Sequence, residues 1–232
     1  MFGKPKKFGL ALGGGAARGF AHIGVLRAME EAGLQPDYVA GTSVGSLIGA
    51  LYCAGMGWQE IWKQAETLDW GDLVKVTMPT LGLVKADKLE ALVEKLVEKR
   101  RIEDFAIPFS AVSVDLIGGT QVIFDRGPAG TAVRASCSIP GIFAPLEDAG
   151  RMLVDGGVMN NLPADVVKQM GANLVLAVDL FAAGLHQSKK PANLAEVMLR
   201  STIIFMSNTS RAGTEAANAI VVPQLEEYDF HD

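Results

Sequence analysis

A chain of 232 residues, 49% of them hydrophobic, has room for one sizeable α/β domain and is short for two. Its 21 basic against 26 acidic residues give a net charge of -5 and contain no long basic run, which excludes an electrostatic footprint for nucleic acid. Cys53 and Cys137 lie far apart in apolar surroundings with no CxxC spacing, which excludes a disulfide scaffold and points to buried free thiols in a reducing, cytoplasmic compartment.

Lys4, Lys6 and Lys7 form the one basic cluster and read as a solvated end that can also touch anionic headgroups. The apolar run Phe8 to Leu12 is the first predicted strand; it imitates a signal peptide until Arg18 and the glycines cut it short. A helix follows from Ala17 to Ala32, ending at Gly33. From Tyr38 to Trp58 there is no charge, a length able to cross a bilayer. Five glycines with Thr42, Ser43 and Ser46 make it poorly hydrophobic, so a buried strand, Tyr38 to Gly41, plus a buried helix is the better reading.

Gly57 to Arg101 breaks the alternation of strands and helices with two or three helices and the Met78-Pro79-Thr80 interruption. It reads as a helical insertion capping the sheet, and Ala86 to Lys99 carries Leu89, Leu92, Val93, Leu96 and Val97 on one stripe. Strands are predicted at Phe109 to Asp115 and Gln121 to Asp125, joined by Gly118-Gly119 as a hairpin, and at Met152 to Asp155. A helix over Pro163 to Met170 stops at Gly171, and a strand over Leu174 to Leu180 leads to a loop from Gly184 to Pro191. The helix over Asn193 to Ala217 carries Leu194, Val197, Met198, Ile203, Ile204 and Phe205 over so wide an arc that it is expected to be largely buried or partnered. A last strand covers Ala219 to Val222. The expected fold is a single three-layer α/β domain over residues 1–232, with a mostly parallel central sheet, helices on both faces and one antiparallel edge.

Gly41-Thr42-Ser43-Val44-Gly45, between an apolar strand and an apolar helix, reads as a nucleophile elbow. A strand turning abruptly into a helix forces one residue into a sparsely populated conformation, and Gly41 and Gly45 remove the side chains that would collide there. Ser43 then projects its hydroxyl beside the Val44 N–H and the positive end of a helix. The bland alternative is a serine at an ordinary turn.

Gly13-Gly14-Gly15-Ala16-Ala17-Arg18-Gly19 follows the first strand and opens a helix, so its bare amides form an anion cradle. Gly13 and Gly15 meet the first half of a dinucleotide fingerprint, but Arg18 takes the third glycine's place and the acidic residue expected at a following strand end is missing. Arg18 is a candidate to orient the loop, and a structural ion pair is its plainer reading. For a base, the histidines are His22, which reads first as a helix-packing residue, His186 in a polar loop, and His231 beside the terminus. Asp155 leaves an apolar strand into Gly156-Gly157; a partly desolvated carboxylate at a strand end is a credible general base, although Asp-Gly alone reads first as a turn.

In this order the three glycine-flanked motifs resemble those of patatin-like phospholipases, particularly the bacterial single-domain members. Ala135 to Pro145, containing Ser136-Cys137-Ser138, and Asn161-Leu162-Pro163 also fit, so the resemblance spans about Gly9 to Val178. It implies a Ser-Asp dyad without histidine: Ser43 as nucleophile, Asp155 as base, and amides of Gly14, Gly15 and Ala16, to which the loop adds Gly13 and the elbow Val44, as oxyanion hole. It also implies hydrolysis of acyl esters in phospholipids or related lipids through an acyl-enzyme, with no metal or other cofactor, and peripheral membrane contact fits such a substrate. Ile142, Phe143, Met152 and Met159 are candidates to line an acyl-chain pocket, with core packing as the plainer reading of each.

The alternatives are a Ser-Asp-His esterase using Ser43, Asp155 and His186 in the chain order of α/β-hydrolases, a non-catalytic nucleotide- or anion-binding regulator, and acyl transfer to an acceptor other than water.

Overall fold

A computed structural model of the chain describes residues 6–67, 86–182 and 190–225. In chain order the elements are β1 (Phe8–Leu12), α1 (Phe20–Glu31), β2 (Tyr38–Thr42), α2 (Val44–Cys53), α3 (Trp58–Thr67), α4 (Asp87–Leu96), β3 (Phe109–Asp115), β4 (Thr120–Phe124), α5 (Ala129–Ser136), β5 (Leu146–Asp148), β6 (Arg151–Asp155), α6 (Ala164–Met170), β7 (Leu174–Val178), α7 (Leu194–Ala216) and β8 (Ala219–Val221). The strands form one sheet in the order β5-β6-β3-β2-β1-β7-β8, with β4 also paired to β3. The stretch from β3 to β8 is parallel throughout. The three pairings β3-β4, β3-β6 and β5-β6 are antiparallel, so the antiparallel edge expected from the Gly118-Gly119 hairpin is wider than one strand.

The parallel strands are apolar on both faces because helices cover both. Leu10, Leu12, Val39 and Phe109 pack with α1 to α5, whereas Ala11, Ala40, Val112 and Ala177 face α6 and Leu162. The stretch Tyr38 to Trp58 is accordingly a buried strand and a buried helix. The helices α3 and α4 supply the expected insertion; the Met78-Pro79-Thr80 break lies outside the described residues. Arg134 of α5 ties the insertion down, pairing with Asp87 at 3.0 Å and Glu90 at 2.9 Å on α4.

The helix expected to be largely buried or partnered, α7, is buried on one side only and leaves Leu194, Val197, Met198, Ile204 and Phe205 exposed. Its wide apolar arc is two stripes: an inner one, where Met206 and Ser210 are buried and Gly213 lies against the Leu162 carbonyl, and an outer one that no described residue covers.

Candidate active site

The loops that follow β1, β2 and β7 all leave the same end of the parallel sheet, and the neighbours of β1 run off in opposite directions on its two sides. In an open α/β sheet this is where a crevice forms. Ser43 stands there between β2 and α2, with φ 53° and ψ -128°. A serine in that conformation stores about 1–3 kcal/mol, held by its surroundings. A Cβ on Gly45 would strike the Leu12 carbonyl and one on Gly41 the Gly45 carbonyl, so the turn is as tight as the glycine spacing requires. The Ser43 carbonyl accepts the N–H groups of Ser46 and Leu47 at 2.8 and 3.2 Å, and the Ser43 N–H donates to Ser136 Oγ at 2.9 Å.

Asp155, at the end of β6, is fully buried. Its N–H donates to the Ser138 carbonyl at 2.9 Å, and its Oδ1 accepts the Gly157 N–H at 2.8 Å. Gly156 lies so close to the Val112 carbonyl that a side chain there would collide. Oδ2 makes no hydrogen bond of ordinary geometry, yet the Ser43 side chain is near enough to favour the ionised carboxylate. Burial outweighs that help and the Gly157 N–H, pushing the carboxyl up to about 7. Cys137, between Ser136 and Ser138, is a buried free thiol like Cys53. Its pKa is driven up by burial first and the Asp155 charge second, which makes it a poor nucleophile.

The glycine loop lies against this pair: a Cβ on Gly14 would come within 3.2 Å of Ser43 Cβ. Two of the amides expected to line an oxyanion hole are engaged elsewhere, because the Gly13 N–H donates to the Val178 carbonyl at 3.0 Å and the Gly14 N–H to the Asn161 carbonyl at 3.1 Å. The sheet's hydrogen-bond ladder runs on past the end of β1 and takes them up. The N–H groups of Gly15, Ala16 and Val44 have no partner among the described residues. Arg18 is buried and donates to the Leu180 carbonyl at 3.3 Å, fastening the loop to the chain beyond β7.

Four residues do more here than their sequence context suggested. His22 Nε2 lies 2.7 Å from the Gly13 carbonyl, which can only accept, so Nε2 carries the proton. Burial lowers the ring to about 4 and keeps it neutral. Ser136 and Ser138 hold the backbones of Ser43 and Asp155. Asn161 is buried; its Nδ2 donates to the Gly14 carbonyl at 3.4 Å and to Ser210 Oγ at 3.1 Å, while its Oδ1 faces Gly14 without a partner. His186 and His231 lie outside the described residues.

A narrow apolar pocket opens beside Val44 and is walled by Ala17, Phe20, Leu47, Ile61 and Leu96. These belong to the glycine loop, α1, α2 and the insertion; Ile142, Phe143, Met152 and Met159 are not part of its wall. Among the described residues no group of three or more His, Cys, Asp or Glu side chains is placed to hold a metal ion, and no helix is long and apolar enough to cross a membrane.

The family pattern described as Patatin-like phospholipase matches residues 10–168. A protein of Mycobacterium tuberculosis called an uncharacterized NTE family protein is 39% identical over 201 residues, 83% of this chain and 56% of that one. Patatin-like phospholipase domain-containing protein 6 of Homo sapiens is 37% identical over 179 residues, 74% of this chain and 13% of that one. The chain thus spans about half the length of the bacterial relative and a small part of the human one. VipD from Legionella pneumophila shares the fold, with a TM-score of 0.64 and 16% identity over 79% of this chain and 51% of that chain. The matched stretch runs from β1 into α6 and takes in the glycine loop, the Ser43 elbow and the Asp155 turn, so this chain belongs to the patatin-like phospholipase family.

Proposed function

We propose that this chain is a serine acyl hydrolase that cleaves carboxylic esters of phospholipids or lysophospholipids, acting as one catalytic domain. Family membership supports lipid-ester hydrolysis, and one observation supports the assignment of roles above all others: a buried carboxyl with a free oxygen beside a strained serine. Ser43 Oγ attacks the ester carbonyl carbon as its proton passes to Asp155 Oδ2. The oxygen that becomes negative is held by the N–H groups of Gly15, Ala16 and Val44, assisted by the N-terminus of α2. Gly13 and Gly14 shape the loop without donating to the oxyanion.

Collapse of the tetrahedral intermediate breaks the ester C–O bond, and the departing alkoxide takes the proton from Asp155. Water then attacks the acyl-serine, giving its proton to the same carboxylate; release of the fatty acid returns that proton to Ser43. A carboxyl near pH 7 suits both directions, since a base matched to the working pH accepts and donates with least penalty. On this reading the first carbons of the acyl chain lie against the apolar pocket beside Val44, whose apolar wall supports the assignment.

The test is an assay of short-chain ester, lysophospholipid and phospholipid substrates with chelator present, comparing the wild type with Ser43→Ala. Turnover that survives chelation and disappears with Ser43, together with fluorophosphonate labelling at Ser43, is the expected result. A folded protein that takes no label and turns over none of these substrates would refute the reading.

A further inference from the structure

The outer stripe of α7 consists of Leu194, Val197, Met198, Ile204 and Phe205, exposed at 75%, 45%, 56%, 43% and 69%. At 100° per residue these five fall within an arc of roughly 120° over about 16 Å of helix. Between Leu194 and Phe205 no charged side chain falls within that arc. The polar side chains on and beside the stripe turn back onto their own helix: Ser201 Oγ donates to the Val197 carbonyl at 2.8 Å, Thr202 Oγ1 to Met198 at 3.0 Å, and Ser207 Oγ and Asn208 Nδ2 both to Ile204 at 2.8 Å. Water would satisfy those donors without help; satisfying them internally suits a surface that leaves water.

Two observations choose the occupant. The stripe measures on the order of 16 Å by 10 Å, far below the roughly 800 Å² that each partner buries in a standard protein interface. A second copy of the chain is therefore poorly matched to it. The chain carries a net charge of -5, so the protein as a whole is not drawn electrostatically to an anionic surface. An amphipathic helix of this kind binds by burying its apolar side chains at the headgroup and acyl-chain boundary.

We propose that the outer stripe of α7 docks this protein on an uncharged lipid surface, with Leu194, Met198 and Phe205 entering the acyl-chain boundary. The inference rests on the reading of the chain as a lipid hydrolase, and gives that reading a place to meet its substrate. The same helix is fastened to the site from its inner side: Thr209 Oγ1 donates to the Gly157 carbonyl at 2.7 Å, and Ser210 Oγ accepts from Asn161. Docking through α7 holds the Asp155 loop at a fixed position relative to the lipid.

The experiment is flotation of Ser43→Ala protein, which leaves lipid intact, with vesicles of pure phosphatidylcholine and of phosphatidylcholine containing phosphatidylserine. Comparable binding to both is expected, with partitioning reduced roughly a hundredfold by Met198→Glu with Phe205→Glu, since each change forfeits burial of a large apolar side chain. Leu194→Gln with Val197→Gln repeats the test from the first turns of the helix. In the Ser43-containing protein both pairs should leave hydrolysis of a water-soluble short-chain ester unchanged, which also reports that they fold. No flotation, flotation indifferent to both pairs, or binding only with phosphatidylserine would overturn the proposal. So would a dimer in sedimentation that the glutamates dissociate, for a second copy would then cover the stripe. Flotation of a wild-type protein that turns over no ester would sink the hydrolase reading instead.

Discussion

Thr42 and Asp155 occupy adjacent places along one edge of β3: Thr42 pairs with Val112 in a parallel ladder and Asp155 with Ser113 in an antiparallel one. The other edge of β3 belongs to β4. β2 gives up the shared edge where it turns at Ser43, and β6 takes it over from the opposite direction. The carboxyl therefore reaches the elbow on a backbone ladder rather than on a loose loop. That rigidity suits groups that must stay within a fraction of an ångström of working geometry.

A base held this way has a measurable signature. As the proposed base, the Asp155 carboxyl, pushed by burial to about 7, accepts a proton only when ionised. The logarithm of kcat/KM for a soluble ester should rise with a slope near one below about pH 7 and level off above it. Asp155→Asn should lower kcat by about 10²–10⁴ without unfolding the protein. A flat profile from about pH 5 to about pH 8 would remove Asp155 from proton transfer.

Stability should depend on pH through two buried groups that pull in opposite directions. The folded state raises the Asp155 carboxyl from 3.8 to about 7, so its contribution is full below about pH 4 and is lost as the pH rises through about 7. His22 is lowered from 6.5 to about 4; its contribution is full above about pH 6.5 and is lost as the pH falls towards about 4. Each is worth on the order of 3 kcal/mol. Asp179, also raised by burial, acts in the same direction as Asp155. Asp155 and His22 offset each other, and with Asp179 added urea unfolding of the wild type should show only a shallow fall in stability between about pH 4 and 6.5. Over that window Asp155→Asn should gain stability as pH rises and His22→Gln should lose it.

Two glycine substitutions separate collision from entropy. Gly45→Ala drives a methyl group into the Leu12 carbonyl, backbone that cannot give way, and should cost at least about 3 kcal/mol or prevent folding. Gly24, within α1, has nothing within 4 Å of where a Cβ would stand. Gly24→Ala should stabilise the protein by about 1 kcal/mol, seen as a rise in Tm of about 2–4 °C.

Much of this was legible in the residues. β1 and β3 lie where their apolar runs predicted, and β2, β6 and β7 fall within a residue or two, because strands buried on both faces write continuous apolar runs. The elbow was legible because only glycine fits beside the Leu12 and Gly45 carbonyls. β5 is three residues long and carried no pattern. The engagement of the Gly13 and Gly14 amides was hidden, since it depends on β7 and Asn161 arriving from far along the chain. The split of α7 into a buried and an exposed half was hidden for a related reason: composition around a helix reports how much is apolar, not which stripe meets protein.

Ser136 and Ser138 offer the sharpest separation of a positioning side chain from its neighbours. The Ser136 hydroxyl accepts the Ser43 N–H at 2.9 Å, both residues being buried, so Ser136→Ala leaves that N–H without its partner. An unsatisfied buried donor costs about 1–3 kcal/mol, which competes directly with the energy that keeps Ser43 at positive φ. The elbow should relax, lowering kcat by about tenfold to a hundredfold with KM for a soluble ester nearly unchanged. Ser138 meets Asp155 through its backbone carbonyl, while its hydroxyl donates to the Arg134 carbonyl at 2.8 Å on the C-terminal turn of α5. Ser138→Ala should therefore cost about 1 kcal/mol in urea unfolding and leave kcat within about a factor of two. Equal losses of activity in the two variants would mean that the α5 tip supports the site only by its fold, and that the Ser136 hydroxyl has no particular hold on Ser43.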